Sequence, residues 1–401
     1  MRVSVVGAGV AGCHAALTLL ERGFAVDLWD VGRTDPASPL PGVSFHALKD
    51  ELPDPATHFL GADLRALVPP AVPELLRYPP SRRFLADADD PLLGFVADGF
   101  HPYASLATGG LANGWGANAL AYDDDDLAGW PVSFGEMDAA YRSAFARVPV
   151  AGPASDDLSP HLRGVYPSQP PLRLTGTDRI VLDRYRARRT KLAARGVVLG
   201  HARMAVVTAP ARGDACDECD RCLWGCPRGS IYNPAASTLA ASAVPAGFRH
   251  LRGRCVISAA SRDGRVHALR YLDTATDTVR EEPCDVVFLA AGALQTGAVF
   301  LRTLKAAHPQ LPAESAALLD TAVVKLPYVA LRAVGTPAEP RAFQFNRLNL
   351  GLVRSGADGP RYLHGEVLHL TSLLYHPLIE RMPFDTRTSA RLFFALRSAL
   401  G

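Results

Sequence analysis

The sequence lacks a dominant charge: its 42 lysines and arginines stand against 40 aspartates and glutamates, a net charge of +2. No basic field is present to hold nucleic acid or to press against an anionic membrane. It lacks any uncharged apolar run of the length a membrane-spanning helix requires. No basic n-region or cleavage site precedes the first strand-like segment, Val3 to Val6. Repeats and low-complexity tracts are absent too. Together these features imply a cytoplasmic chain with no nucleic-acid partner and no membrane span, with a membrane-bound partner left open. What is present is ordinary globular material, 48% hydrophobic and 20% charged over 401 residues, enough for two domains that each bury a core.

The seven cysteines are spread unevenly. Four of them form Cys216-x-x-Cys219-x-x-Cys222-x-x-x-Cys226-Pro227. Disulfides seldom crowd like this in a cytosolic chain, so a metal or redox centre is the default. The spacing matches the loops that wrap an iron–sulfur cluster in ferredoxin-type proteins. Arg221 and Arg228 stand near enough in sequence to offset a cluster's negative charge. Structural zinc on four thiolates is a second reading, although so short a loop lacks the separated pairs typical of zinc. A loop of reduced cysteines is the third. Cys13, Cys255 and Cys284 fall in predicted helix or strand and read as core residues.

The N-terminus reads strand, tight turn, helix, strand. Gly7-Ala8-Gly9-Val10-Ala11-Gly12 follows a valine-rich strand and opens a helix over Val10 to Arg22 that Gly23 closes. A second strand over Phe24 to Asp30 ends on an acid. Each glycine has its own reason. Gly7 permits the tight turn, Gly9 lets the backbone approach a pyrophosphate, and Gly12 lets helix and strand sit close. The helix N-terminus offers free N–H groups and a positive dipole end to phosphate. Asp30, about 20 residues on, is placed to bind ribose hydroxyls.

Beyond this unit, Thr34 to about Pro80 is rich in Pro, Ala and Asp and suits loops and short helices. A helix is predicted over Trp130 to Val148, with Ser133 and Glu136 as a capping box, and another over Thr177 to Arg195. Gly196 to Thr208 is strand-like. His250 to Ser258, Arg265 to Asp273 and Asp285 to Ala290 read as a three-stranded meander, followed by a helix over Ala291 to Arg302. Ala322 to Val334, Ala342 to Val353 and Arg361 to Leu370 read as strands of an antiparallel sheet.

The turn's position at the extreme N-terminus, and the Val31-Gly32 that follows Asp30, resemble flavoproteins rather than nicotinamide dehydrogenases. Three further stretches carry a more specific resemblance, to the glucose-methanol-choline (GMC) oxidoreductase family. Thr108-Gly109-Gly110-Leu111-Ala112-Asn113-Gly114-Trp115-Gly116-Ala117 resembles its flavin-contacting loop. Trp130-Pro131-Val132-Ser133-Phe134 with Tyr141 is similar to the helix start that follows it. Val286 to Thr296, with Ala291 and Gly292 at its turn, resembles the strand by which the chain returns to the cofactor. In residue terms, Gly109, Gly110 and Gly116 let backbone N–H groups approach a flat ring. A donor such as the Asn113 amide can stabilise charge on a reduced flavin.

The resemblance implies an α/β fold: a Rossmann-like, three-layer FAD-binding domain with an inserted or following antiparallel-sheet substrate domain. The boundaries expected are 1–310 for the FAD domain, discontinuous, with an excursion at about 35–100 and the cysteine loop at 214–234. Residues 311–401 would form a partial substrate domain. A second adenine contact is implied near Cys255 and Val256. Flavin subunits of bacterial sugar dehydrogenases related to this family carry an iron–sulfur cluster in a similar loop. Cys222, Cys226, Pro227, Ser230 and Tyr232 match that loop, with Cys216 as first ligand and Cys219 as an extra.

The implied activity is oxidation of the CH–OH group of an alcohol or sugar-like substrate by FAD. The acceptor would be something other than oxygen, such as an electron-acceptor protein. The family's C-terminal catalytic histidine has no match in Leu396 to Gly401, which reads as the inside of a helix. A fragment, a partner that completes the site, or a chain without turnover are the alternatives. His364, His369 and His376 are expected as core or surface residues, and no catalytic base is assigned. Two other functions stay open: a flavin and iron–sulfur electron carrier acting on a reduced cofactor, and a non-catalytic flavin-binding protein.

Overall fold

A computed structural model describes residues 1–34, 42–61, 78–86, 90–98, 100, 102–239, 246–311, 316–324, 326, 328, 330–334, 339–356, 359–368, 388, 392 and 395. In chain order the strands are β1 (Arg2–Val6), β2 (Ala25–Trp29), β3 (Val197–His201), β4 (Phe248–Leu251), β5 (Arg254–Arg262), β6 (Arg265–Asp273), β7 (Thr278–Pro283), β8 (Val286–Leu289), β9 (Leu348–Gly356) and β10 (Gly359–Val367). The α-helices are α1 (Val10–Glu21), α2 (Phe45–Glu51), α3 (Pro55–Leu60), α4 (Phe134–Phe145), α5 (Gly176–Arg186), α6 (Arg189–Ala193) and α7 (Ala293–Ala307). Two bodies result. One is Met1–Ser38, Pro70–Trp115 and Asn233–Val324; the other is Pro39–Pro69, Gly116–Tyr232 and Lys325–Gly401.

In the first body, β1 is valine-rich because both its faces are covered, as in parallel sheets generally. The sheet order is β4-β2-β1-β8, with every pair parallel. Val5, Val26 and Leu28 pack on Cys13, Ala16 and Leu20 of α1. The alternate residues, Val6 and Trp29, turn the other way and pack on Val256, Leu269 and Tyr271. Those belong to an antiparallel meander, β5-β6-β7. Helix, parallel sheet and meander thus form three layers. α1 ends as the sequence signals: Gly23 sits at φ +82, and Phe24 N–H closes back on the Leu19 carbonyl at 3.1 Å.

In the second body the sheet is antiparallel, in the order β10-β9-β3. Leu199, Leu348 and Leu350 bury against Leu182 and Tyr185 of α5. A satellite core gathers Phe45, Leu48 and Phe59 around Trp224, whose ring stacks on Phe45 at 4.7 Å.

The α/β class, the parallel unit and the separate antiparallel sheet agree with the expectation. Several elements do not. The run expected from His250 to Ser258 is two strands, because Gly253 at φ +73 breaks it. β4 joins the parallel sheet, and only β5 starts the meander. The meander's third strand is the charged β7, not Asp285 to Ala290; the latter region supplies β8 of the parallel sheet, paired with β1. The helix expected over Thr177 to Arg195 starts one residue earlier, at Gly176, capped by Thr175 with Asp178, and is interrupted at Ala187 and Arg188. Among the described residues of 322–334 no strand forms, and Leu331–Ala333 is a 3-10 turn. Residues 116–232 group with the C-terminal sheet, because β3 pairs with β9.

Candidate functional site

The three glycines of the first turn separate by what a side chain would strike. At Gly7, with φ +106, a Cβ would lie 2.4 Å from the Ala290 carbonyl oxygen. At Gly12 it would lie 1.8 Å from the Gly7 oxygen. The fold itself excludes side chains at both. Gly9 is different: its φ is an ordinary −79°, and the nearest atom to a Cβ is Gly110 Cα at 4.0 Å. Protein packing would tolerate alanine there, so the open backbone faces space for something else. Gly9 is the N-cap of α1, with no capping side chain and no acid in the first turn. Val10 and Ala11 are exposed. The first N–H groups of a helix have no intrahelical acceptor, and the positive end of the helix dipole faces the same way. A diphosphate fits this arrangement.

Asp30 follows β2 and is buried. Its Oδ2 accepts a 2.5 Å bond from Thr108 Oγ1 and lies 3.2 Å from His250 Nε2. Neither partner was readable in advance: His250 enters through β4, far along the chain, and Thr108 heads the glycine-rich loop. That loop lies directly on the turn. Gly109, at φ +95, donates its N–H to the Ala8 carbonyl at 2.9 Å. A Cβ at Gly110 would come within 3.2 Å of Gly9 Cα.

Asn113 is bonded within the loop. Its amide donates to the carbonyls of Thr108 (2.9 Å) and Gly110 (2.8 Å), and its Oδ1 accepts from Asn233 Nδ2 at 2.6 Å. Both amide hydrogens are committed inside the loop, so Asn113 shapes the loop's backbone. Ala291 and Gly292 lie where the return strand abuts Gly7. The Ala291 N–H bonds Thr296 Oγ1 at 3.0 Å, and Gly292 at φ +79 caps α7. The Val256 side chain is core-facing, which leaves only backbone to contact a nucleotide there. Gly116 belongs to the second body, with open space around a notional Cβ.

The cysteine loop lies wholly in the second body. Glu218 (φ +58) and Asp220 (φ +59) take the left-handed conformation, and Gly225 and Gly229 have positive φ, so the backbone coils tightly. Three cysteine sulfurs accept backbone N–H bonds: Cys216 from Glu218 at 3.4 Å, Cys219 from Arg221, and Cys222 from Gln344. Such bonds favour a thiolate and tune metal-bound sulfur. Arg221 is buried, donates to the Val43 carbonyl at 3.0 Å, and feels Cys219 and Cys226 electrostatically. Arg228 is instead paired with Asp217 at 3.0 Å.

Burial pushes the Cys216 thiol up to about 12 and Cys219 to about 11. These are not activated nucleophiles. Among the described residues no three His, Cys, Asp or Glu side chains converge at the spacing of a single metal ion. Of the other cysteines, Cys13 is fully buried as expected, while Cys255 and Cys284 are half-buried.

The second body's sheet carries a polar constellation that sequence reading passed over. Asn118 Nδ2 lies 2.7 Å from His364 Nε2 and 2.9 Å from Glu366 Oε1, and Asn118 Oδ1 accepts from Asn349 at 3.1 Å. Burial lowers the His364 ring to about 4, so it is neutral, as its acceptance of the Asn118 amide requires. Among the described residues His364 Nδ1 and Tyr362 Oη are buried without a hydrogen-bond partner. Ala117, immediately before Asn118, holds a strained φ of +64. His369, His376 and Leu396 to Gly401 lie outside the described residues.

No family model matches the chain, and no curated relative matches it. Solved structures of similar fold include an FAD-dependent oxidoreductase from Chaetomium thermophilum (15% identity, TM-score 0.43, 75% of this chain and 47% of that one). Pyridoxine 4-oxidase from Mesorbium loti aligns over 100% of this chain and 80% of that one, at 14% identity and TM-score 0.46. A formate oxidase from Aspergillus oryzae aligns over 75% and 47%, at 11% identity and TM-score 0.44. The chain thus spans about half the length of the first and third. Among the described residues no helix is long and apolar enough to cross a membrane.

Proposed function

We propose that the chain binds FAD and acts as an oxidoreductase on the CH–OH group of an alcohol or sugar-like substrate, with an electron acceptor other than oxygen. The observation that carries the flavin reading is Gly9. The fold has room for a side chain there, yet the residue is glycine, at a free helix tip, between Asp30 and the Gly109-Gly110 backbone. In this reading the turn seats the diphosphate and Asp30, steadied by Thr108 and His250, meets ribose hydroxyls. The loop fixed by Asn113 lines the flavin with backbone. Bound flavin supplies a two-electron acceptor for the substrate's hydride. The GMC resemblance of the loop and the return strand supports the CH–OH donor.

The cysteine loop adds a finer element. Cys216, Cys219, Cys222 and Cys226 would hold an iron–sulfur cluster, which accepts electrons singly and suits an electron-acceptor protein as final partner. The N–H bonds to three sulfurs and the buried Arg221 charge support it. A cytoplasmic location belongs to the same reading.

The test is Gly9→Ala beside the parent chain, each purified anaerobically. The parent is expected yellow, with iron. Gly9→Ala is expected to keep the parent's apoprotein melting temperature while binding FAD at least about tenfold more weakly, a loss of roughly 1.4 kcal/mol or more. A parent that takes up no FAD, or a variant that binds it equally well, overturns the flavin reading. Zinc without iron overturns the cluster.

A further inference from the structure

A second pocket lies within the second body, built on one face of α4. Phe134, Asp138 and Arg142 recur at helical spacing along that face, and Arg163, Tyr166 and Arg203 complete the wall around a cavity of about 400 Å³. That is the size of small-ligand pockets. Three guanidiniums face it and one carboxylate.

The arginines are not equivalent. Arg203 is buried and fully committed: it grips Asp156 with two bonds, at 2.8 and 2.9 Å, and also bonds Ser159 and the His201 carbonyl. It forms a neutral floor. Arg142 and Arg163 are largely exposed, yet both are held flat on aromatic rings. The Arg142 guanidinium sits 4.2 Å from the centre of Tyr166, and that of Arg163 sits 4.4 Å from the centre of Phe134. Stacking fixes the plane of an otherwise mobile side chain and leaves its N–H edges to bond.

Those edges are incompletely used. Arg142 meets Asp138 through Nε at 3.1 Å, and Arg163 meets Asp124 through Nη1 at 3.0 Å. Among the described residues the Nη groups of Arg142, and Nε and Nη2 of Arg163, have no protein acceptor. Asp138, bonded by the Tyr166 hydroxyl and Arg142, stays a carboxylate and offsets one guanidinium charge, against three arginines in the lining. The Arg163–Asp124 pair is solvent-exposed on both sides, so exchanging it for another anion costs little.

We propose that this pocket binds a small organic phosphate monoester, with the phosphate between the stacked edges of Arg142 and Arg163 and a hydroxylated body in the remaining space. Two pre-oriented guanidiniums suit a dianion whose oxygens can each take paired N–H bonds. The cavity is larger than phosphate alone would fill. The site is independent of the flavin reading.

Calorimetric titration tests it on the full chain in excess FAD, so that the N-terminal turn is not free to take the phosphate. Ribose 5-phosphate is the probe, with ribose and inorganic phosphate as comparisons. Saturable binding of ribose 5-phosphate is expected, with ribose giving no heat and inorganic phosphate binding at least tenfold more weakly. Arg142→Ala and Arg163→Ala are each expected to weaken binding at least tenfold. Because both arginines are exposed, melting curves should confirm that the variants remain folded. Absence of saturation, equal affinity in the arginine variants, or equal binding of inorganic phosphate would each overturn the proposal, the last by reducing the site to an unspecific anion contact.

Discussion

The glycine turn of the first body and the cysteine loop of the second are both short and tightly coiled, but they carry information in opposite ways. The turn works by omission: Gly7 and Gly12 are glycine because backbone oxygens occupy the space of a Cβ. The loop works by addition, through four thiol side chains on a backbone bent at Glu218 and Asp220. A steric requirement can be read from the folded chain alone. Convergence of ligands is set partly by what they hold, so spacing in sequence does not fix it. The lesson is that Gly9, the glycine the fold does not require, says more about a ligand than the two it does.

The largest effect should come from abolishing that distinction. Gly12→Ala drives a methyl into the Gly7 carbonyl and is expected to destabilise the apoprotein by about 3 kcal/mol or more, against less than about 0.5 kcal/mol for Gly9→Ala. Urea denaturation measures both, and equal costs would erase the contrast. On the other side, Cys222→Ser should remove most of the bound iron, read by metal analysis and electron paramagnetic resonance. An unchanged iron content would show that Cys222 is not a ligand.

Two smaller predictions compare how the bodies respond to acid. His364 is held near 4, below its usual value, so its contribution is present above the ordinary histidine pKa of about 6.5 and is lost as pH falls from there toward 4. The parent should lose about 2 kcal/mol over that window, and His364→Gln should flatten the loss; pH-dependent denaturation decides. In the first body, burial would raise the Asp27 carboxyl, but bonds from Arg249 and Arg2 bring it below its ordinary value. Its contribution is present above the usual carboxylate range and lost below it. Asp27→Asn should cost about 1 kcal/mol near neutral pH, since both arginines are half-exposed, and that cost should shrink in acid. A cost that did not shrink would place the effect in packing rather than charge.

The strand–turn–helix was legible because the valines of β1, the three glycines and Asp30 all act locally. The capping box of Ser133 and Glu136 was legible for the same reason. The break at Gly253 was visible but not weighed, and β7 was hidden because its Glu and Arg residues face solvent on an outer strand. Thr108, His250 and Asn233 could not be found, since each reaches its partner from a distant segment. The polar group around Asn118 and His364 was equally invisible, because β10 meets the loop after Ala117 only in the folded chain.

The placement of β8 has a consequence for how the chain comes to be folded. β1 lies between β2 and β8, and the residues of β8 are synthesised long after the first turn has left the ribosome. Until they emerge, one side of β1 is an unpaired edge and the carbonyl of Ala290 cannot brace Gly7. The nascent β1 therefore exposes a valine-rich template for mispairing until β8 is made, and chaperone protection should matter most in that interval.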